Sequence, residues 1–411
     1  MPTTVAIIGC LDTKGEEVRY LKRIVEEQGV STHVIDTGVL ADPPFAPETS
    51  AGEVARAAGA SLADLRARGD RGFAVRAMSE GAARVVQALH AEGAIQAVLA
   101  AGGSANTTIA TRAMRALPVG FPKVMVSTLA SGDVAPYIGI RDVTLMYSVV
   151  DIAGINRVSA RVLANAARAA AAMAAAGPES AAPARELVAA TMFGVTTPCV
   201  TRAREVLEEA GYEVLVFHAT GTGGRAMEGL IEDGFITGVL DLTTTELADE
   251  LAGGVLSAGP DRLRAAGRKG IPQVVSTGAV DMVNFGPRDT VPERFRHRLL
   301  YEHNPTVTLM RTTPDENTEI GKRIAERLSA AKGPVRLMLP LRGVSAISKE
   351  GGPFFDPEAD RRLFDAIRAN ARPPVEVREV DADINDPDFA RACAEGLMEM
   401  MRASSGGRSS S

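Results

Sequence analysis

Short apolar runs rich in β-branched residues alternate along this chain with segments whose apolar residues recur at helical spacing. The runs predict buried strands, and the periodic segments predict helices. The strands predicted in the first half are Val5–Gly9, Thr32–Ile35, Ala94–Ala100, Val124–Ser127 and Val143–Tyr147, and the helices are Glu16–Gln28 and Met78–Ala91. Because nearly continuous apolar strands alternate with helices, we expect a doubly wound α/β fold with mostly parallel sheets.

The same alternation begins again after residues 175–187, AAGPESAAPAREL, whose composition is typical of a linker. This second series predicts a strand at Val188–Phe193, a helix at Arg202–Glu209 and a strand at Tyr212–Phe217. Residues 333–400 predict two more strand–helix pairs, with strands at Val335–Pro340 and Val375–Val380. We therefore expect an N-terminal domain over residues 1–178, a C-terminal domain over 188–403 and a disordered tail over 404–411.

The two series resemble each other in order and in spacing. The stretch VAIIGCLDTKGEEVRYLKRIVEEQG matches VAATMFGVTTPCVTRAREVLEEAG in strand, glycine, polar loop, helix and closing glycine. VIDTGV then corresponds to VFHATGTG, AIQAVLAAGGS to FITGVLDLTTT, FPKVMVST to IPQVVST, and TLMYSVVD to TLMRTTPD. These landmarks favour two tandem Rossmann-like domains made by internal duplication, although unrelated Rossmann-like sheets would share part of the rhythm.

Composition narrows the function classes without naming one. Hydrophobic residues make up 45% of the chain, charged residues 23%, and the net charge is −6. The chain has no basic tract of the kind that predicts nucleic-acid binding. It also has no apolar run of the length of a membrane span. Three scattered cysteines provide neither a disulfide framework nor a zinc site. We expect a cytoplasmic protein without a nucleic-acid or membrane partner and without a bound metal centre of its own.

Ligands of open parallel sheets bind beyond the carboxyl ends of the strands, where helix N-termini present free N–H groups. In the first half, this rule selects Asp12, Thr13 and Lys14, and the loop Gly102, Gly103, Ser104 and Thr107. Lys14 could contact phosphate and Asp12 could reach a bound Mg²⁺, but Lys14 could equally be a surface residue. Neither stretch has the residue order of a Walker loop or of a G-x-G-x-x-G fingerprint.

In the second half, the stretch HATGTGGRAME (His218–Glu228) concentrates glycines after a predicted strand. The residues selected as substrate-binding here are Thr220, Gly221, Thr222, Gly223, Gly224 and Arg225. Their backbone N–H groups could converge on an anion that Arg225 clamps. The alternative is a glycine-rich turn in which Arg225 is solvated.

Other strand ends of the second half carry groups that could take part in acid–base chemistry. The candidate catalytic residues are His218, Asp241, Glu246 and Asp281. Ser276, Thr277 and Gly278 form a turn before Asp281 and are selected as substrate-binding. The absence of a G-x-S-x-G elbow argues against a serine hydrolase.

Several motifs together resemble a known family along nearly the whole chain. They are GCLDTKGEE, RAMSEGA, the AGGS loop, HATGTGGRAME, LDLTTTE, STGAVDMVNFGP, HNPTVTLMRTTPDE, LPLRGVS and GGPFFDPEAD. The chain is similar to uncharacterised protein family 0261, also described as the tobamovirus-resistance-protein-like ATP-binding family. The resemblance implies two Rossmann-like domains, ATP binding by the N-terminal domain and a tendency to form homodimers. It also implies that Asp12, Thr13, Lys14, Gly102, Gly103, Ser104 and Thr107 contact the nucleotide. Asn106 stands where a further glycine is expected, so its side chain is predicted to narrow the loop.

Three functional hypotheses follow. The first is a cytoplasmic ATP-binding protein, with Mg²⁺ as counter-ion, whose interdomain cleft takes a small anionic metabolite. The second is an enzyme on small phosphorylated or carboxylated substrates for which ATP is incidental. The third is a non-catalytic module that binds another protein in an ATP-dependent way, as the resemblance to a plant relative that binds viral replication proteins implies. The residues do not decide whether the protein is an enzyme.

Overall fold

The structure is a computed structural model that describes residues 2–177 and 185–406. The chain divides into two compact units, Met1–Ala181 and Ala182–Ser411, which we call the N-terminal and the C-terminal unit. Most of the predicted linker, residues 178–184, lies outside the described residues. Each unit is described below by itself.

The N-terminal unit contains a five-stranded parallel sheet with the strand order β2-β1-β3-β4-β5. Its strands are β1 (Thr4–Gly9), β2 (Ser31–Asp36), β3 (Ala97–Gly102), β4 (Lys123–Ser127) and β5 (Thr144–Tyr147). Its helices are α1 (Leu11–Glu26), α2 (Ala51–Ala57), α3 (Leu62–Arg68), α4 (Arg71–Ala91), α5 (Ser104–Arg115), α6 (Ala135–Ile138) and α7 (Arg157–Ala176). The predicted strands and helices of this half are confirmed.

Helices cover both faces of this sheet because successive strand residues point to opposite sides. Val5 and Ile7 pack in one core cluster with residues of α1 and α7. Ala6 and Ile8 pack in the other cluster with residues of α2, α4 and α5. This two-sided burial explains why the strands are apolar throughout.

The C-terminal unit contains a six-stranded parallel sheet with the order β7-β6-β8-β9-β13-β14. The strands of this sheet are β6 (Leu187–Met192), β7 (Glu213–His218), β8 (Gly238–Thr243), β9 (Gln273–Gly278), β13 (Val335–Pro340) and β14 (Val375–Val380). The helices are α8 (Thr197–Glu209), α9 (Thr222–Glu232), α10 (Glu246–Ala252), α11 (Ala265–Lys269), α12 (Pro314–Ser329), α13 (Pro357–Asn370) and α14 (Pro387–Gly406). The predicted mostly parallel, doubly wound fold is confirmed in both units.

Strand pairing supports the internal duplication over the first four strands of each sheet. Val5 pairs with Ala97 in the first sheet, and the aligned Val188 pairs with Gly238 in the second. The neighbouring strand pairs, β3–β4 and β8–β9, also share one register, since Val98 is opposite Lys123 and the aligned Val239 is opposite the aligned Gln273. Equal strand order and equal register are expected of two copies of one ancestral unit.

The last landmark of the predicted duplication is wrong. The TLM of the first half lies in β5, next to β4. The TLM of the second half lies in β12 (Val307–Arg311), which pairs antiparallel with β10 (Met282–Phe285) and β11 (Leu300–Asn304) in a separate three-stranded sheet. The position equivalent to β5 belongs to β13, which pairs with β9. A short apolar run predicts a strand but carries no information on its partner.

The C-terminal end of the chain also differs from the prediction. Helix α14 continues to Gly406, so residues 404–406 are helical rather than part of a tail. Residues 407–411 lie outside the described residues. In the part of the chain that the structure describes, no helix combines the length and the apolarity that crossing a membrane requires.

Candidate functional site

The strand order of the N-terminal unit creates a crevice at one defined place. From β1 the chain continues to β2, and from β3 it continues to β4. Because β2 and β4 lie on opposite sides of the β1–β3 pair, the loops after β1 and β3 run in opposite directions. In doubly wound sheets of this order, ligands bind at this switch point, outside the carboxyl ends of the strands. A cavity of about 460 Å³ lies there. Its size is within the range of small-molecule sites.

The cavity is lined by polar groups at the strand ends and by an apolar wall from the helices. The polar side contains Cys10, Asp12, Thr13 and Thr37. The apolar wall consists of Val39, Leu40, Leu65, Ala74, Val75, Met78, Ala105 and Ile109, and two arginines, Arg66 and Arg71, complete the lining with Gly38, Gly69 and Asp70. A mostly apolar wall with a few placed polar groups is characteristic of a ligand site.

Two helices begin at this crevice without a side-chain cap. Cys10 precedes α1 and Gly103 precedes α5, and neither residue caps its helix through a side-chain hydrogen bond. At the start of α1, only the Leu11 N–H has a side-chain acceptor among the described residues, namely Asp36. Ser104 is exposed at the start of α5, and Ala105 lines the cavity. Uncapped N–H groups and the helix dipole favour an anion at such a position.

Asp12 supplies a carboxylate oxygen without a partner. Its Oδ2 accepts a hydrogen bond from the Leu40 N–H at 2.7 Å, whereas its Oδ1 is buried and has no partner among the described residues. Gly38 permits this arrangement, because a Cβ atom there would lie 2.7 Å from the Asp12 carboxyl carbon. A buried carboxylate oxygen of this kind fits a divalent cation as its missing partner.

Asp36, at the end of β2, fixes two backbone segments beside the crevice through hydrogen bonds. Its role was not predicted from the sequence. Its Oδ1 accepts hydrogen bonds from the N–H groups of Leu11 (3.0 Å) and Gly38 (2.8 Å). Burial raises the pKa of Asp36, and these two donated hydrogen bonds oppose the rise. An acidic residue that directly follows the apolar run of β2 was the available signal.

Cys10 and Asn106 have structural roles at the bottom of the crevice. Burial raises the pKa of the Cys10 thiol to about 11, so this cysteine stays protonated and is a poor nucleophile. Asn106 is turned into the sheet, where its Nδ2 donates to Ala101 O (2.8 Å) and Ile8 O (3.3 Å). The expectation that Asn106 narrows the loop is therefore wrong.

The predicted cofactor residues divide into two groups. Asp12 and Thr13 line the cavity, and Gly103 and Ser104 form the adjoining turn at the start of α5. Thr107 is buried, and its hydroxyl is shared with Ser127 at 2.8 Å, so it can support the loop but offers nothing to a ligand. Lys14 lies on α1 with a non-helical backbone, and neither Lys14 nor Gly102 is among the residues that line the cavity.

The equivalent crevice of the C-terminal unit is filled by side chains. Thr196, which follows β6, shares a hydrogen bond with Thr243 at the end of β8 at 2.8 Å. Thr243 also donates to the Thr191 carbonyl, and Thr244 to the Ser276 carbonyl. All of these threonines are buried. They occupy the place where the N-terminal unit has its cavity.

The glycine-rich turn Gly221–Gly224 binds an anion that belongs to the protein itself. The Oε1 of Glu246 accepts hydrogen bonds from Gly221 N (2.7 Å) and Gly224 N (3.1 Å). The glycines are required by packing, since a Cβ at Gly223 would lie 1.8 Å from the His218 carbonyl oxygen. The prediction of a substrate-binding turn is corrected accordingly, because the converging N–H groups already have an acceptor. Thr220 and Thr222 contribute no contact that changes this assignment.

Arg262 connects the carboxylates that were predicted to be catalytic. Its Nε donates to Glu246 Oε2 at 2.6 Å, its Nη2 donates to Asp241 Oδ1 at 2.7 Å, and its Nη1 pairs with Asp241 Oδ2. Burial alone lowers the pKa of the Arg262 guanidinium, but Asp241 and Glu246 raise that pKa well above its ordinary value. Both acids are thus held in a buried ion cluster, and the sequence analysis missed Arg262. We assign Asp241 and Glu246 a structural role instead of a catalytic one.

The turn around Ser276 and Asp281 is also buried. Ser276 donates to the Met338 carbonyl at 2.8 Å, and Asp281 accepts from the Ser345 hydroxyl at 2.8 Å. Burial raises the pKa of Asp281, while the Arg311 guanidinium lowers it. Gly278 packs against the Leu242 carbonyl, and Thr277 is fully buried. None of these groups reaches solvent. We therefore assign the predicted substrate-binding turn a structural role in the interior of the unit.

Three predicted residues of the C-terminal unit are exposed, namely His218, Thr222 and Arg225. His218 is exposed at the end of β7, with its ring 5.4 Å from that of Phe193. Arg225 is exposed on α9 and donates through Nε to the Gly221 carbonyl at 3.2 Å. Within the described residues, no group of three His, Cys, Asp or Glu side chains is placed to hold a metal ion.

The fold and the site define an α/β protein of two doubly wound units with a ligand-sized cavity at the switch point of the first. The chain belongs to the uncharacterised protein family UPF0261, whose N-terminal domain matches residues 3–179 and whose C-terminal domain matches residues 185–401. The resemblance inferred from the sequence motifs is thereby confirmed. The family description states no activity.

Relatives are found in bacteria and in a plant. A UPF0261 protein of Clostridium tetani is 53% identical over 402 residues, which cover 98% of this chain and 100% of that one. The UPF0261 protein RA0729 of Rhizobium meliloti is 49% identical, covering 96% and 98% of the two chains. The ToMV resistance protein Tm-1(GCR237) of Solanum lycopersicum is 42% identical over 96% of this chain, which corresponds to 55% of the tomato protein. This chain thus spans about half the length of that relative.

Among solved structures, the UDP-GlcNAc 2-epimerase of Methanocaldococcus jannaschii matches this chain in a structural alignment that covers 97% of this chain and 99% of the epimerase chain. The sequence identity is 11% and the TM-score is 0.23. A similarity of this size carries no argument about function.

Proposed function

We propose that this is a cytoplasmic protein whose N-terminal unit binds ATP together with Mg²⁺. The observation that supports the proposal most directly is the cavity at the switch point, where, among the described residues, α5 begins without a side-chain acceptor and an oxygen of Asp12 has no partner. Helix N-termini of this kind favour phosphate groups. The family resemblance, which points to ATP, agrees with this chemistry.

The two sides of the cavity suit the two ends of a nucleotide. Val39, Leu40 and Val75 offer an apolar surface of the kind on which a purine base packs. The N-termini of α1 and α5 would face the phosphates, and Asp12 Oδ1 would contact the Mg²⁺ that accompanies them. Mg²⁺ is commonly bound by one or two carboxylates plus substrate phosphates, so one protein carboxylate is sufficient.

Arg71 adds a positive charge to the phosphate side. It lines the cavity, is exposed, and has no ion pair among the described residues. The guanidinium of Arg66, by contrast, already has protein partners, because it donates to the Val39 carbonyl at 2.8 Å and pairs with Asp42 at 3.1 Å. We therefore assign Arg71 to ligand contact and Arg66 to holding the loop after β2.

Titration calorimetry tests the proposal. Mg-ATP is expected to bind the full chain, and adenosine or inorganic phosphate alone is expected to bind more weakly. Asp12→Asn should reduce Mg-ATP affinity by about tenfold, or about 1.4 kcal/mol, and should have a smaller effect on ATP in the presence of EDTA. Asp133→Asn, at another strand end of the same unit, is the control and should bind like the parent. Absence of binding at millimolar Mg-ATP would rule the proposal out.

A second candidate function is a module that binds another protein. It is favoured by the 42% identity to a tomato protein named for resistance to ToMV. Affinity capture with the full chain, with and without Mg-ATP, separates the two ideas. An ATP-dependent partner together with no turnover of ATP would favour the module over an ATP-linked enzyme. The homodimer and the shared cleft between domains stay predictions.

A further inference from the structure

We propose that the C-terminal unit carries a second small-molecule site, for an organic anion that joins a flat or apolar body to a carboxylate or phosphate. The site is a cavity of about 570 Å³, lined among others by Leu341, Arg342, Lys349, Phe355 and Arg361. It is remote in sequence from the switch-point crevice, and its existence does not depend on nucleotide binding by the N-terminal unit. We call it the β13–β14 cavity.

The cavity lies at the edge of the sheet where α/β proteins bind ligands. Leu341, directly after β13, donates its N–H to the Val380 carbonyl at the end of β14, at 3.0 Å. The Arg342 N–H donates in the same way to the Ala382 carbonyl, at 3.0 Å. These bonds place Leu341 and Arg342 beyond the carboxyl ends of two parallel strands, which is the ligand-binding edge of such sheets.

Two cations at the cavity have donors to spare. Lys349 is exposed, and its ammonium group has no hydrogen bond or ion pair among the described residues. Arg361 has its nearest carboxylate, Glu358, at 4.0 Å, and both side chains are exposed. Arg342 pairs with Asp381 at 2.6 Å, but this pair is open to solvent and contributes little, so a ligand can compete for it.

The acidic residues of the cavity do not cancel these charges. Asp360 is buried and is already paired with Arg311 at 2.8 Å. Asp383 accepts the Asn385 N–H at 2.8 Å. Glu350 is exposed beside Lys349 and is the one acid of this lining without a described partner. The lining holds four cations, Arg342, Lys349, Arg361 and Arg368, against three acids, Glu350, Asp360 and Asp383.

An apolar surface adjoins the two cations. Phe355 is 45% exposed and Leu341 is 38% exposed, and both line the cavity with Pro357 and Phe364. An exposed aromatic ring and an arginine that line the same cavity are suited to a flat ligand group, because the ring and the guanidinium can both stack on such a group. This surface is the reason for inferring an organic anion and not phosphate alone.

The walls of the cavity are held in place before any ligand binds. Ser348 Oγ accepts the N–H groups of Val344 and Ser345, each at 2.9 Å. Gly352 allows the returning chain to approach, since a Cβ there would lie 2.3 Å from the Ile347 carbonyl oxygen. Below, buried Arg311 donates to the Phe354 carbonyl at 2.8 Å. A preformed wall reduces the ordering cost of binding.

This assignment gives a role to two motifs that the nucleotide site leaves unused. LPLRGVS supplies Leu341 and Arg342, and GGPFFDPEAD supplies Phe355 and Asp360. The segment between them supplies Lys349. The anionic partner that the sequence analysis placed at the glycine-rich turn is thus moved to the β13–β14 cavity, because Glu246 already fills that turn.

Ligand-observed NMR on the full chain tests the site with three defined probes: phenyl phosphate, phenylacetate and benzyl alcohol. The two anions are expected to bind at millimolar concentration and the neutral alcohol to bind less. The stronger anion identifies phosphate or carboxylate as the preferred group. The double variant Lys349→Ala/Arg361→Ala should lose about tenfold in anion affinity, and Phe355→Ala should weaken both anions.

The control is Lys322→Ala/Arg204→Ala, which removes the same charges from exposed helix positions of the same unit. It should bind the probes like the parent. Mg-ATP affinity of all variants is measured in parallel and should not change, so failure here is distinguishable from failure of the nucleotide site. Equal anion affinity in the parent and the Lys349/Arg361 variant, or no anion binding by the parent, overturns the proposal.

Discussion

The first four strands of the two units have the same order, but the switch point is an open cavity in the N-terminal unit and is filled by side chains in the C-terminal unit. The N-terminal unit has Gly102 and Ala105 at the end of β3 and the start of α5. The C-terminal unit has Thr243 and Glu246 at the aligned positions, at the end of β8 and the start of α10. Small residues leave a cavity in the first case, whereas larger polar ones fill the crevice in the second.

In the C-terminal unit this backbone arrangement holds an internal anion, Glu246, whereas in the N-terminal unit we propose that it binds an external one. A helix N-terminus at a strand end presents N–H groups that need an acceptor. In the C-terminal unit, Glu246 is that acceptor for the start of α9, and Arg262 balances its charge. In the N-terminal unit, Asp36 accepts one N–H at the start of α1, and the start of α5 has no side-chain acceptor in the part of the chain that the structure describes. The proposed nucleotide would supply the acceptor that the start of α5 lacks.

The largest effect is expected on removing the central cation of the C-terminal unit. Arg262→Ala leaves Asp241 and Glu246 as buried carboxylates without their partner, which typically costs about 3–5 kcal/mol of unfolding free energy. Chemical denaturation combined with hydrogen exchange should assign the loss to the C-terminal unit, with the N-terminal unit unchanged. The exposed neighbour Arg264→Ala is the matched control and should change stability by no more than about 0.5 kcal/mol. Similar losses for both variants would show that the ion cluster is not structural.

A pH dependence of stability is expected next, again in the C-terminal unit. Burial raises the pKa of Asp249 to about 7 and that of Asp360 to about 6. Between about pH 4 and pH 7 the unfolded chain therefore releases protons that the folded unit still holds, so stability falls as pH rises through this window. For Asp360 the change is on the order of 3 kcal/mol, at about 1.4 kcal/mol per pKa unit.

The measurement is the unfolding free energy of the parent and of Asp360→Asn from pH 4 to pH 8. The variant should show a flatter profile between pH 4 and pH 6, whatever its absolute stability. Parallel profiles for the two proteins would contradict the assignment to Asp360.

A smaller loss is expected from crowding the turn that Glu246 occupies. In Gly224→Ala the new Cβ would lie 2.1 Å from Glu246 Oε2, so the carboxylate must shift from its N–H donors. We expect a loss of about 1–3 kcal/mol of unfolding free energy, as for other overpacked sites. Gly194→Ala is the control, because no atom lies within 4 Å of the added Cβ. Thermal and chemical unfolding of the two variants provide the comparison.

The last prediction converts one switch point into the other. Ala105→Glu puts a carboxylate at the start of α5, as Glu246 is placed at the start of α10. It should compete with the phosphates and reduce Mg-ATP affinity by about tenfold, or about 1.4 kcal/mol. Thr108→Glu adds the same charge one turn later, at an exposed position that does not line the cavity, and should have a smaller effect. Equal affinities in calorimetry would falsify the idea that Ala105 keeps the crevice open.

Sequence reasoning predicted most of the fold because its signals are local. Buried strands such as β1 and β3 are continuous apolar runs, and glycines such as Gly29 and Gly93 follow the helices α1 and α4. The repeated landmarks predicted two copies of one unit, and the structure shows that the first four strands of each sheet share one order and one register. The fifth strand was assigned wrongly, because TLM predicts a strand without indicating its neighbour.

The candidate sites depended far more on tertiary structure. The sequence alone determined that polar residues and glycines gather at strand ends, which selected Asp12 and the turn at Gly221 alike. Only the folded chain decided that Arg262, in a segment with no periodic pattern, reaches Glu246 and that Glu246 fills that turn. The physical reason is that hydrophobic patterning acts between near neighbours in the sequence, whereas charge compensation in a buried site joins residues that meet only after the sheet has formed.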